Sequence, residues 1–145
     1  MKFKLYRLLY CLGLVAFLAV GCEQASTTEQ KEAPKPPSLT DVLAEVKQMT
    51  GDISDGFAND DMEKAHGPLH QIGHKLEALP NLIDASSLAD EAKTAAKSAI
   101  ETLMNEFGRV DAKLHGDESG ADFADVQESI ESALASLLEQ TKSLN

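Results

Sequence analysis

Residues 38–145 predict an all-α fold, an antiparallel up-down-up-down four-helix bundle. Three observations carry the prediction. Ala, Leu, Glu and Lys abound while Trp is absent and β-branched and aromatic residues are few, so the per-residue preference is helical throughout. Apolar residues recur every three or four positions in four separate runs, the spacing that gathers them on one helical face. Short polar turns separate the runs, and short connections favour antiparallel neighbours. These 108 residues are enough for one domain and no more.

The first helix opens at Ser38-Leu39-Thr40-Asp41, a capping-box start with Asp in the usual Glu position. Leu39, Val42, Val46, Met49, Ile53 and Phe57 form its inward stripe, and Asn59-Asp60-Asp61 makes the turn. The second helix buries Ala65, Leu69, Ile72, Leu76 and Leu79. Pro68 fits best at a helix start, which places the regular helix from Gly67-Pro68 after a short lead-in from Asp61, and Pro80 is expected to end or kink it. Ser87 with Asp90 is expected to cap the third helix, whose stripe runs through Leu88, Ala92, Ala96, Ala99, Leu103, Phe107, Val110 and Leu114 to a C-cap at Gly116. Asp117 to Gly120 form the next turn, and the fourth helix buries Phe123, Val126, Ile130, Leu134, Leu137 and Thr141.

Two segments precede this domain. Lys2, Lys4 and Arg7 start the chain, and an apolar run from Leu8 to Val20 follows. Thirteen residues are too few for a permanent membrane span, which needs about 20, but suit the hydrophobic region of a secretory signal. The run closes in Leu18-Ala19-Val20-Gly21-Cys22, which resembles the lipobox of bacterial lipoproteins, with Ala19 where that pattern usually has a larger aliphatic. The resemblance implies a signal peptide over 1–21, cleavage before Cys22, and lipidation of Cys22 with acyl chains such as palmitate. It implies a protein anchored by its N-terminal lipid in the cell envelope, and Glu23 in place of Asp points to the outer membrane, facing the periplasm. Residues 22–37 then comprise the lipidated Cys and a linker, EQASTTEQKEAPKPP, which lacks any aliphatic residue larger than Ala and carries Pro34, Pro36 and Pro37. This composition cannot bury a core and predicts a disordered tether. With Cys11 in the discarded segment and Cys22 lipidated, the mature domain has no disulfide available.

The domain from Ser38 onward holds 8 basic and 21 acidic residues, a net of −13. Nucleic acid and anionic head groups are excluded as partners, since both require positive charge. No Ser-His-Asp or Cys-His arrangement, phosphate-binding Gly loop or HExxH helix is present, so an enzyme is not expected. Asp55-Gly56 resembles part of a calcium loop, but Gly51 and Met62 stand where Asp and Glu are required.

What remains is the stretch HGPLHQIGHKLE, residues 66–77, with three of the chain's four histidines. Spacing of four aligns His66, His70 and His74 along one helical stripe. At 100° per residue they lie about 100°, 140° and nearly 180° from the centre of the apolar face, flanking the core and winding outward. Neutral imidazoles at this spacing chelate a transition ion in adjacent pairs, His66/His70 or His70/His74, whereas His66 and His74 are about 12 Å apart along the axis. Glu77 lies on the same flank as a further carboxylate. Asp111 and His115, again four apart, flank the third stripe, and the bundle topology favours a cross-helix pairing of His66 with Asp111 or His115 over a site joining His70, His74 and His115. Met49 and Met62 are expected in the core rather than as ligands.

By helix number, length and export signal, residues 38–145 resemble the cytochrome b562-type periplasmic bundles. That family holds haem between a Met of its first helix, which Met49 can match, and a His of its last. Here the last helix contains no His, and Cys-x-x-Cys-His is absent, which excludes covalent haem. The expected function is that of a non-catalytic envelope lipoprotein binding a Cu or Zn ion through the His-rich flank, with haem b the lesser expectation. The alternative is a structural or protein-interaction role with no cofactor. Replacing Cys22 by Ser should release the protein from the membrane fraction or block its processing, since the thioether to lipid requires the sulfur. Membrane fractionation and the mass of the mature chain check this, and an unchanged pattern would dismiss the anchor.

Overall fold

In the computed structural model, residues 36–144 are described. The readings of a signal peptide over 1–21, of lipidation at Cys22 and of a tether up to residue 35 lie outside the described residues. These form four α-helices, with no strand among them: α1 Leu39–Ala58, α2 Met62–Ala85, α3 Asp90–Leu114 and α4 Phe123–Thr141, followed by one 3-10 turn, Lys142–Leu144. Helix α1 packs on α2, α2 on α3, and α3 on α4. None of these helices is long and apolar enough to cross a membrane.

The start of α1 is the expected capping box. The Ser38 hydroxyl accepts from the Asp41 N–H at 3.2 Å, and the Asp41 carboxylate accepts from the Ser38 N–H at 3.1 Å. Leu39, Val42, Val46 and Ile53 are buried, with Met49 and Phe57 packed at the margin of the core. The turn into α2 passes through Asp60 at φ 55°, a left-handed conformation that short polar side chains tolerate. Beside it the two helices come close: a Cβ on Gly56 would stand 2.7 Å from the Ala65 Cβ and 2.8 Å from the Ala65 nitrogen. Only glycine allows that approach.

Helix α2 corrects the sequence reading. It begins at Met62, with the Asp61 carboxylate accepting from the Lys64 N–H at 3.1 Å, and runs unbroken through both Pro68 and Pro80. Each proline removes one backbone bond at a cost of about 3 kcal/mol. Leu69 and Ile72 lie just beyond Pro68, and Leu79 and Ile83 bracket Pro80; all four are buried, at roughly 1.5–3 kcal/mol apiece. Burial outweighs the prolines, and the helix continues. Met62 is exposed rather than in the core, because it is the first helical residue and precedes the inward stripe.

The start of α3 also departs from expectation. Its N-cap is Ala89, which gives no side-chain bond, while Asp90 and Glu91 supply negative charge to the first turn. Ser86 closes α2 instead, its hydroxyl donating to the Ile83 carbonyl at 2.7 Å. Leu88, buried between the helices, anchors the connection. Along α3, Ala96, Ala99, Ile100, Leu103, Phe107 and Val110 are buried, whereas Ala92 is half-buried and Leu114 exposed, since the last turn runs past the core. Gly116 closes the helix at φ 84°, its N–H bonding the Lys113 carbonyl at 3.0 Å and that of Asp117 the Ala112 carbonyl at 2.9 Å. That pair of bonds is a Schellman motif. In α4, Ala133 takes the buried position and Leu134 is half-buried.

Leu103 lies at the centre of the core with no exposed surface. Leu103→Ala should lower unfolding stability by about 2–5 kcal/mol, the usual result of emptying a buried Leu site. Denaturant unfolding of the two proteins checks the value.

Candidate metal centre

The rotation of α2 and α3 about their axes decides which polar side chains meet. On α2, burial of Leu69, Ile72 and Leu76 leaves His66 and His70 on the flank beside α3. On α3, Phe107 and Val110 take the core positions, and Asp111 and His115 fall on the matching flank. The two pairs come together. His66 Nε2 and His70 Nε2 are 3.0 Å apart, and one nitrogen from each of His66, His70 and His115 lies within 4.8 Å of the others. Ring centroids are separated by 4.3 Å for His66/His70, 5.3 Å for His70/His115 and 6.1 Å for His66/His115.

Asp111 joins the group from α3. Its Oδ1 is 3.3 Å from His70 Nδ1 and 3.7 Å from His115 Nε2. That oxygen is sealed from solvent and accepts no well-aligned hydrogen bond, so two imidazole nitrogens are its polar surroundings. The Asp111 side chain as a whole remains 34% exposed, so the sealing applies to one oxygen and not to the residue.

This arrangement suits a cation. Two nitrogens on a tetrahedral ion at 2.0–2.1 Å stand roughly 3.4 Å apart, so His66 and His70 are within a few tenths of an ångström of ligating distance. The third ring must draw in by at most about 1.4 Å, a small rotation for an exposed side chain. His70 shows how the parts divide. Its Nε2 faces the other imidazoles while its Nδ1 faces Asp111, which is the carboxylate–histidine pairing that fixes the tautomer and strengthens the ligand.

The six residues named from the sequence therefore separate. His66, His70, Asp111 and His115 gather at the α2–α3 seam, whereas His74 and Glu77 pair with each other at 3.6 Å, 84% and 63% exposed. Four further residues round from His70, His74 has wound away from α3. The expectation that a helix beginning at Gly67-Pro68 would place its positive end at His70 is also corrected, because α2 begins at Met62.

Beyond the cluster the seam opens into a cleft of about 170 Å³. Leu69, Leu76, Met104 and Phe107 make its walls, Gly73 and Gly108 leave it open, and His70 and Asp111 form its polar end. The sequence signal for it was a glycine on the flank of each helix, and only the register between helices brings the two together. On the other side, the turn after His115 carries Asp117, whose carboxyl is held below the usual carboxylate range by bonds from the Ser119 hydroxyl and N–H, at 2.7 and 2.8 Å.

No protein-family model, curated protein or solved structure matches the chain. Its site is read from its own residues. Proton–proton cross-relaxation should link the ring of His70 to those of His66 and His115 and leave the ring of His74 without a histidine neighbour. Two-dimensional NMR on selectively labelled histidine checks this directly.

Proposed function

We propose that this chain is a non-catalytic, lipid-anchored protein of the bacterial cell envelope that holds a Cu(II)- or Zn(II)-class ion between two helices of its domain. The ligands are His66, His70 and His115, with Asp111 bound to the ion or oriented on His70. The observation that carries the reading is the convergence of three imidazoles, each with a nitrogen within 4.8 Å of the other two, on a carboxylate oxygen removed from water. Imidazole nitrogen suits Zn, Cu and Ni, and among divalent ions Cu(II) binds such donors most tightly. The net charge of −13 over residues 38–145 concentrates cations around the site.

An ion fits better than haem b. A cleft of about 170 Å³ suits a single six-membered ring, and a porphyrin is several such rings across. We read the bundle as antiparallel, up-down-up-down, on the ion pairs Asp55–Lys64 and Glu45–Lys75 for α1 and α2, and on His70–Asp111 and Asp84–Lys97 for α2 and α3. In each set one number rises as the other falls. The lipobox-like Leu18 to Cys22 supports the anchor, and Glu23 in place of Asp supports the outer membrane, facing the periplasm.

Titration of the full-length protein with Cu(II) and Zn(II), followed by calorimetry and absorbance, tests the reading. One equivalent should bind, and His70→Ala or His115→Ala should weaken it at least about tenfold, the lower end of what loss of a supporting partner alone produces. His74→Ala should leave affinity unchanged. Binding should be weaker at about pH 5 than at about pH 7.5, because protons compete for the same imidazole nitrogens. Equal binding by the parent and the His66, His70, His115 triple variant would overturn the metal reading in favour of a structural or protein-interaction role.

A further inference from the structure

We infer that the cleft between Gly73 and Gly108 is a second-ligand site, where a small neutral nitrogen heterocycle enters and coordinates the ion held by the histidines. The inference rests on the metal reading above and specifies the open side of that site. With Asp111 oriented on His70 and not bound to the ion, three protein nitrogens would leave a four-coordinate ion one free position, the arrangement in which an exogenous ligand binds. The cleft adjoins the cluster through His70, the one of the three imidazoles that also lines it, with Asp111 beside it.

Size and lining select the ligand. A cavity of about 150 Å³ with apolar walls accepts benzene, so 170 Å³ admits a ring of imidazole or pyridine size. Leu69, Leu76 and Phe107 offer that ring an apolar bed, and exposed Met104 stands at the rim. A Cβ at either Gly73 or Gly108 would meet nothing within 4 Å, so both glycines border open space rather than packed neighbours. Close packing does not require either residue to be glycine, and a side chain at either position would grow into the volume the ring occupies. The walls and not charge choose the ring: the ion's own positive charge favours an anion such as azide, but azide leaves Leu69 and Phe107 uncovered, so only the ring draws on the cleft.

The experiment uses full-length protein loaded with Cu(II), titrated with imidazole and separately with azide, and followed by the copper visible band and electron paramagnetic resonance. Imidazole should change both signals saturably, and so should azide, which uses the ion but not the cleft. In Gly108→Leu, and independently in Gly73→Leu, imidazole affinity should fall at least about tenfold while copper affinity and helical circular dichroism stay as in the parent. Imidazole binding of parental strength in either folded, copper-loaded variant would overturn the cleft as the ligand's place, and so would an equal loss of azide affinity in those variants. If the parent takes up no copper, the metal reading and this inference fall together.

Discussion

The phase of four apolar stripes is the constraint from which the site follows. The chain has cysteines only at positions 11 and 22, so no disulfide can join the helices, and burial alone holds them. Burial then sets the rotation of each helix about its axis. Once Leu69, Ile72 and Leu76 face inward, His66 and His70 have the flank beside α3 as their place; once Phe107 and Val110 face inward, Asp111 and His115 have the flank beside α2. The polar cluster is thus positioned by side chains that have no chemistry of their own. Replacing one of those apolar residues by a differently shaped one would move the histidines without touching them.

Rotation was legible in the sequence, and axial register was not. A period of three and four located the helices, the Ser38 cap and the buried faces, because these depend on residues one or two turns apart. Gly116 announced itself by its left-handed need. The meeting of His70 with His115 depends instead on how far α3 slides along α2, and that is set at the far end of the pair. Asp84 holds both Lys93 and Lys97, so the first turn of α3 runs past the end of α2 rather than starting level with it. Counting back from the turn as though both helices started level puts His115 opposite residues near 58–62, whereas it lies beside His66. Pro68 and Pro80 misled for a related reason. Local preference argued for breaks, and the cost of two lost backbone bonds was smaller than the apolar burial around them.

The sealed oxygen of Asp111 is a costly group where it stands. A buried acceptor without an aligned donor costs roughly 1–3 kcal/mol, and more when it is charged. The nitrogens that face it are His70 Nδ1 at 3.3 Å and His115 Nε2 at 3.7 Å. On the metal reading, His70 can give its Nδ1 side to the carboxylate and its Nε2 side to an ion at once, so the contact that joins α2 to α3 also orients the ring.

The loop after α3 doubles back more tightly than a simple connection requires. The Ala121 N–H donates to the Arg109 carbonyl at 3.0 Å, and a Cβ on Gly120 would collide with the backbone of Lys113, 2.6 Å from its Cα. Helix ends ordinarily fray, and a residue in the final turn samples many backbone conformations. Here the final turn is clasped from outside by its own loop and from within by the Schellman bonds. His115 therefore sits on a stretch of backbone already held in place, and on the metal reading an incoming ion would be spared about 1–2 kcal/mol for each residue it does not have to immobilise. Rigidity in a loop of glycines and acids would then count as affinity in a ring several residues upstream.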